Sequence, residues 1–515
     1  MLEQCMSYED YKQLVVVNGE RLFALCQFAL TNKSKEKIIN RKFLGRLNLE
    51  ATWMQETLDS YGSRNNITWF PFREAIAAQK LFSSVCYDVI HLKKAAPYYN
   101  LLVVEGDFNL EIDNILDSFY RAILSISGSL LKFLKKQKIS VDLKTINPDS
   151  FYEEYLDYQL EKTKISKDVY QHEQTIVYLA TSFMNLGPET EILECPKKLK
   201  KKDYSDCIPD NISEEKLRLV KAQFHNLQSM YDTHLSTTYI ESRNSNLHIL
   251  RGHISIIFHL LNSATNLSHY YERHMSDSRI SFIKTLFKPM TKKKLLSILV
   301  EFFLHFTFLY FKAAKNLCRS IISEYAEDGQ ISVGIPNYRG FHVRPSTLIS
   351  KIVLHYGTVV KMKLGNEEYN TSSPLELFRA NEKINAEKRK YISRHVSSDT
   401  IFKDFNPDDL TNWPKLLQLV ILDLMDKEEI ILYEKNLSLE GNTPHAGESP
   451  EGFFKRIITL FLASGKIDIK SNLKVSFHGD KRVLYDLKTL AEAGYGEDKY
   501  GNNIILPAKL SYLKR

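Results

Sequence analysis

Apolar residues recur at helical spacing almost without interruption up to about residue 325, and then the pattern changes. In Phe72–Ala95 and in Ile112–Lys136 the apolar side chains fall three and four residues apart, the period of one helix face. Tyr152–Lys164, Glu214–Leu235, Leu247–His274 and the segment around Phe302 read the same way. Connections are short, few runs alternate as strands do, and no repeat recurs at solenoid spacing. The first part of the chain is therefore expected to be all-α, one or two helical bundles split near the basic stretch 187–212. The expected spans are 1–190 and 191–327, the latter as a domain of its own or as a continuation of the first bundle.

From about residue 328 strands appear. The stretch "EDGQISVGIP" is the first, and "GTVVKMKLGNEEYNTSS" (Gly357–Ser373) follows as two short strands about a turn. Ser373, Pro374 and Glu376 then mark a helix start, with Ser373 as cap, Pro374 at the first helical position and Glu376 reaching back. Further on come a strand at Glu428–Leu437, a helix at Ser449–Gly465, a hairpin at Leu473–Leu487, a short helix and a closing strand at Asn502–Pro507. The last third is expected to be α+β, and the whole chain multidomain, with spans of 328–435 and 436–515.

Composition narrows the functional classes. The formal charge of +7 over 515 residues is small, so nucleic acid is not an expected partner. The basic run Pro196–Asp203, "PKKLKKKD", reads as a solvated linker. Six scattered cysteines without a CxxC pair, and an N-terminus with no apolar core of a secretory signal, fit reduced thiols and a cytoplasmic location. The most membrane-like segment, Leu295–Phe311, is short and contains Glu301 and His305, so a buried core helix is expected and no membrane span.

The stretch "YRGFHVRPSTLISK" (Tyr338–Lys351) carries the chemistry. A histidine just before a helix start faces the unpaired N–H groups of the first turn, which favour an anion. Here the amides of Val343 and Arg344 are available, and Pro345 fixes the turn. Arg344 can fork onto phosphate oxygens, and Gly340 permits close approach by a partner backbone. The imidazole of His342 titrates near neutrality and can act as a nucleophile. A lone histidine at a helix start is otherwise a cap or surface residue.

The flanks resemble the HPr family, the histidine phosphocarriers of the sugar phosphotransferase system. That family's signature is Gly-Leu-His-Ala-Arg-Pro-Ala, followed by an apolar helix, a hairpin turning at Asn-Gly and a Ser-initiated helix. The chain keeps Gly340, His342, Arg344 and Pro345, over about residues 331–380. The resemblance implies an open-faced α+β sandwich, His342 as phosphoryl acceptor and Arg344 as its phosphate-stabilising neighbour. It also implies Ser373 at a regulatory position, an enzyme I-like donor fed by phosphoenolpyruvate, and an acceptor protein still to be identified. The family's fourth strand is expected within about ten residues of Phe378, where this chain runs on as charged helix. The elements from 428 onward repeat the order strand, helix, hairpin, short helix, strand, so 436–515 is read as a second, degenerate copy without His-x-Arg-Pro, with "PHAGESP" (Pro444–Pro450) in the corresponding place.

Other constellations are weaker. His248, His253, His259, His269 and His274 share one helix, and Glu301 and His305 share a face, but paired Glu-x-x-His motifs are missing. No P-loop, nucleophile elbow, kinase set or GxGxxG is present. No metal or cofactor is expected. The function expected is a phosphocarrier, or a regulator switched by phosphate on His342, rather than a self-contained catalyst. The alternative is a scaffold that uses the same fold as a docking surface, and a metal-dependent enzyme of the bundle is a third reading.

Overall fold

Short polar side chains set the helix starts in the computed structural model of this chain. It describes residues 5–32, 34–143, 145–153, 160, 172–186, 190, 192–193, 204–275, 290–395, 413–434, 437, 444–445, 447–470 and 472–514. Asn40 accepts from the Phe43 amide, Asp107 from Leu110, Ser213 from Lys216 and Thr291 from Lys294, each satisfying a donor that the first turn leaves open. Contacts divide the chain into two units, 1–321 and 322–515.

The first unit is helical among its described residues. Its long helices are α1 (Tyr8–Asn32), α2 (Arg41–Ser60), α3 (Phe70–Ala95), α4 (Phe108–Lys136), α5 (His172–Met184), α6 (Glu214–His234), α7 (Ser245–Tyr270) and α8 (Lys292–Glu324). π-Helical turns follow α7 at Tyr271–Met275 and interrupt α8 at Ile298–Leu304. Because α7 packs on α3, the helices beyond residue 191 continue the first bundle. Fully buried aromatic side chains, among them Phe23, Trp69, Phe72, Phe82, Phe119, Phe224 and Phe303, fill the space between helices. By length and composition α1 and α8 are apolar enough to cross a membrane; half of the apolar window of α1 and most of that of α8 are buried in protein. The expected helix at 152–164 and the run Pro196–Asp203 lie mostly or wholly outside the described residues.

The second unit mixes helices with a small antiparallel sheet. In order it holds β1 (Asp328–Gly334), α9 (Val343–Tyr356), β2 (Lys361–Leu364), β3 (Glu367–Asn370), α10 (Pro374–His395), α11 (Trp413–Asp426), β4 (Ile430–Leu432), α12 (Pro450–Ala463), β5 (Ile467–Ile469), β6 (Lys474–Asp480) and α13 (Lys481–Glu492). The four-stranded sheet runs β1-β6-β2-β3. β6 is its central strand, pairing Phe477 with Ile331 of β1 and with Met362 of β2. Alternation puts Met362, Leu364, Val475 and Phe477 in the core and Lys361 and Lys363 outside. α9 packs on α10 and α13, and α13 packs on β1 and β6.

Three expectations change here. Residues 436–515 are not a second copy, because β6 completes the sheet begun by β1–β3. Leu473–Leu487 is not a hairpin: Asp480 accepts from the Arg482 amide and starts α13, whose Val483, Leu484, Leu487 and Leu490 keep helical spacing and are buried. The closing strand at 502–507 reduces to one bridge, between Glu497 and Asn503.

Between α10 and β6 lies an inserted layer with a core of its own. The β4–β5 pair and helices α11 and α12 enclose Trp413, Phe453, Phe454, Ile457 and Ile458. A buried ion pair, Lys388 Nζ to Asp468 Oδ1 at 2.7 Å, ties α10 to β5.

Candidate functional site

The loop from β1 to α9 is held by backbone and side-chain bonds that leave it little freedom. Arg339 and Gly340 are both left-handed, at φ 52° and 61°. The Arg339 amide donates to Asp468 Oδ2 at 2.9 Å, and its guanidinium donates to the Gly465 carbonyl at 2.8 Å. Asn381 on α10 clasps the turn, its Oδ1 accepting from the Phe341 amide at 2.8 Å and its Nδ2 donating to the Arg339 carbonyl at 3.1 Å. A Cβ on Gly340 would lie 2.1 Å from that Oδ1, so both the φ and the close approach require glycine. Phe341 is fully buried against Tyr495, at 5.8 Å between ring centroids.

His342 follows as the residue that caps α9 in position, though its side chain makes no capping bond. The first helical carbonyl bond runs from the Ser346 amide to His342. The amides of Val343 and Arg344 therefore stand in the open first turn, and Val343 is exposed. The helix start expected at this histidine is in place.

The ring of His342 is held from the far end of the chain. Its Nε2 lies 2.8 Å from Glu497 Oε2. That glutamate is delivered by Gly494, Tyr495 and Gly496, three successive left-handed residues. A Cβ on Gly496 would meet Leu348 at 3.0 Å and Arg344 Nε at 3.4 Å, which leaves little room beside the site. The Tyr495 hydroxyl donates to the Gly334 carbonyl at 2.6 Å and anchors the turn to β1. Burial pushes the Tyr495 hydroxyl well above its ordinary pKa. Glu497 is 8% exposed, whereas the His342 side chain keeps 24% of its surface.

Arg344 also turns toward this loop. Its Nε lies 3.7 Å from Glu497 Oε1, and its Nη1 donates to Asn503 Oδ1. The Tyr338 ring meets His342 edge-on at 5.4 Å and touches Tyr433 of the inserted layer at 4.9 Å. Burial raises the Tyr433 hydroxyl strongly.

The structure thus gathers Gly340, His342, Val343, Arg344 and Pro345 at one helix start. Ser373 sits at the head of α10, half-buried, its carbonyl accepting from the amides of Glu376 and Leu377. Glu497, Asn503, Asn381 and Asp468 escaped the sequence reading. For Glu497 a partial signal existed in the glycines of "GYGED", which mark a turn with two acidic residues, Glu497 and Asp498, behind it. His445 is exposed and its amide donates to Glu448.

The helical-unit histidines serve other ends. Buried His253 shares its Nδ1 with the Ile249 carbonyl at 2.9 Å. His259, 4.5 Å from the His91 ring, is pulled down to about 4 by burial. Glu301 accepts from Ser297 Oγ at 2.6 Å and from the Tyr204 hydroxyl at 3.2 Å. Among the described residues no group of three or more His, Cys, Asp or Glu is arranged to hold a metal. Comparison with protein-family profiles, with curated proteins and with solved structures returned no match for this chain.

Proposed function

We propose that the second unit is an HPr-like phosphocarrier, or a regulator switched by the same chemistry, and that His342 accepts the phosphoryl group. The observation that carries this reading is the His342–Glu497 pair at an open helix terminus. With Nε2–H donated to the carboxylate, the Nδ1 lone pair is the nucleophile. That lone pair attacks the phosphorus of a donor phosphohistidine, and the donor's P–N bond breaks with its electron pair returning to the donor ring. The His342 ring, now cationic, keeps its Nε2 proton toward Glu497, which balances the charge. The amides of Val343 and Arg344 face the phosphoryl oxygens.

The sheet supports the resemblance to the phosphocarrier family. The fourth strand that the resemblance requires, absent after Phe378, is supplied by β6 once the inserted layer has been passed. A cytoplasmic setting, an enzyme I-like donor and a protein acceptor go with this reading. One observation favours the docking alternative: Arg344 is committed to Asn503 and Glu497 rather than to the open terminus. Incubation of the full chain with enzyme I and labelled phosphoenolpyruvate decides between them. The carrier predicts an acid-labile phosphoprotein lost in His342→Ala, and the docking surface predicts no label.

A further inference from the structure

Four described histidines have a glutamate beside them. His248 lies 3.6 Å from Glu241, while His269–Glu214, His274–Glu74 and His342–Glu497 are hydrogen bonds of 2.8 Å. Of the three bonded rings, His274 is only 9% exposed, whereas His269 keeps 42% and His342 24%. The two reachable rings share a third partner, an arginine on the same carboxylate. Arg344 stands beside Glu497, and Arg218 bonds to Glu214.

A His-Glu-Arg set with a reachable ring is therefore found in each unit, on unrelated frames, while a third set in the helical unit, His274-Glu74-Arg73, has its ring largely covered. In the helical unit Glu214 opens α6 and is 11% exposed at its side chain, and His269 lies in the last turn of α7 before the π-helical turn. Burial alone would raise the Glu214 carboxyl. The hydrogen bond from His269 and the charges of His269, Arg218 and Arg273 outweigh it and hold the carboxyl below its usual range. Glu272 closes the cluster, accepting from the Glu214 amide at 2.7 Å and from Ser268 Oγ at 3.1 Å. π-Helical turns are rare and occur frequently at functional sites.

We propose that His269 is a second phosphoryl-accepting histidine, carried by the helical unit. This rests on the phosphocarrier reading only for its natural donor, a phosphohistidine. Nδ1 is engaged with Glu214, and Nε2, which has no partner among the described residues, is the nucleophile. Its lone pair attacks phosphorus, the donor's P–N bond breaks with the pair leaving on the donor nitrogen, and Glu214 balances the cationic ring. The phosphoryl group brings nearly two negative charges, and Arg218 and the exposed Arg273 are the cations at hand.

Phosphoramidate, a chemical donor that releases ammonia, tests the site without any partner protein. On the full chain, peptide mass spectrometry is expected to find phosphate on His269 several-fold faster than on His248, which is exposed but has no 2.8 Å carboxylate. Glu214→Gln, with helix content checked by circular dichroism, is expected to bring His269 down to the rate of His248. Equal rates in the native chain, or an unchanged rate in Glu214→Gln, overturn the proposal. A parallel incubation with enzyme I and phosphoenolpyruvate separates the two readings. Label on His342 with none on His269 from either donor sinks this inference alone. No label from enzyme I, with His269 still labelled by phosphoramidate, sinks the carrier reading and leaves this one standing.

Discussion

In the helical unit α3 packs on α2 before it and α4 after it, so most partners are neighbours along the chain. In the second unit β1 finds its partner only in β6, beyond two further strands, two helices and the inserted layer. Helices that pack on chain neighbours form faster than a sheet whose inner strand arrives last. The carboxylate-held histidines follow the same division. Glu214 and His269 are brought together by two packed helices, whereas Glu497 reaches His342 by a loop that exists only if the whole sheet is in place.

The largest effect tests the central strand. Phe477→Ala empties a fully buried site between β1 and β2 and is expected to cost about 3–5 kcal/mol. Calorimetry should show one transition lowered and the other, from the helical unit, unmoved; a single transition that shifts as a whole would break the division into two units. Asp468→Ala leaves Lys388 charged and buried and frees the Arg339 amide, a loss on the order of 3 kcal/mol. Urea unfolding measures it, and Asp468→Leu with Lys388→Met should recover most of the loss.

Gly340→Ala forces a side chain into a left-handed turn against Asn381 and is expected to cost about 1–2 kcal/mol. Labelling of His342 should fall with it, while labelling of His269 should not. The smallest effect belongs to the helical unit. Burial raises Asp88 from 3.8 to about 6, so it adds stability below pH 4 that is lost as pH rises through 6. Burial lowers His259 from 6.5 to about 4, so it adds stability above pH 6.5 that is lost as pH falls through 4. The two slopes oppose one another. Asp88→Asn removes one of them, and thermal melts of that variant should fall more steeply than those of the native chain between pH 6.5 and 4. Above pH 6 the variant should gain about 1 kcal/mol, a value reduced for partial exposure.

How much was legible in the sequence follows the same line. The helical character up to about residue 325, β1, the β2–β3 pair and the start of α10 were readable because period and capping residues are local. The head of α9 was readable because Gly340, His342, Arg344 and Pro345 are nearly contiguous. β6 was misread as half of a hairpin: "HGDKR" looks like a turn, and only burial of Val483, Leu484, Leu487 and Leu490 on one face distinguishes the helix after it. The false second copy was a consequence of that slip. Asp468 was invisible, and for Glu497 the glycines of "GYGED" marked a turn but not its partner, because both residues bond to groups far off in sequence that no spacing rule connects.

The central position of β6 also bears on synthesis. When β1, β2 and β3 have left the ribosome, the strand that must lie between them has not been made. Translation at about 5–20 residues per second leaves the β2–β3 ribbon and the edge of β1 open for on the order of 5–20 s. During that interval the nascent chain exposes Met362, Leu364 and Ile331 beside unpaired backbone. The dependence on chaperones should therefore fall on the second unit and end when Asp480 emerges.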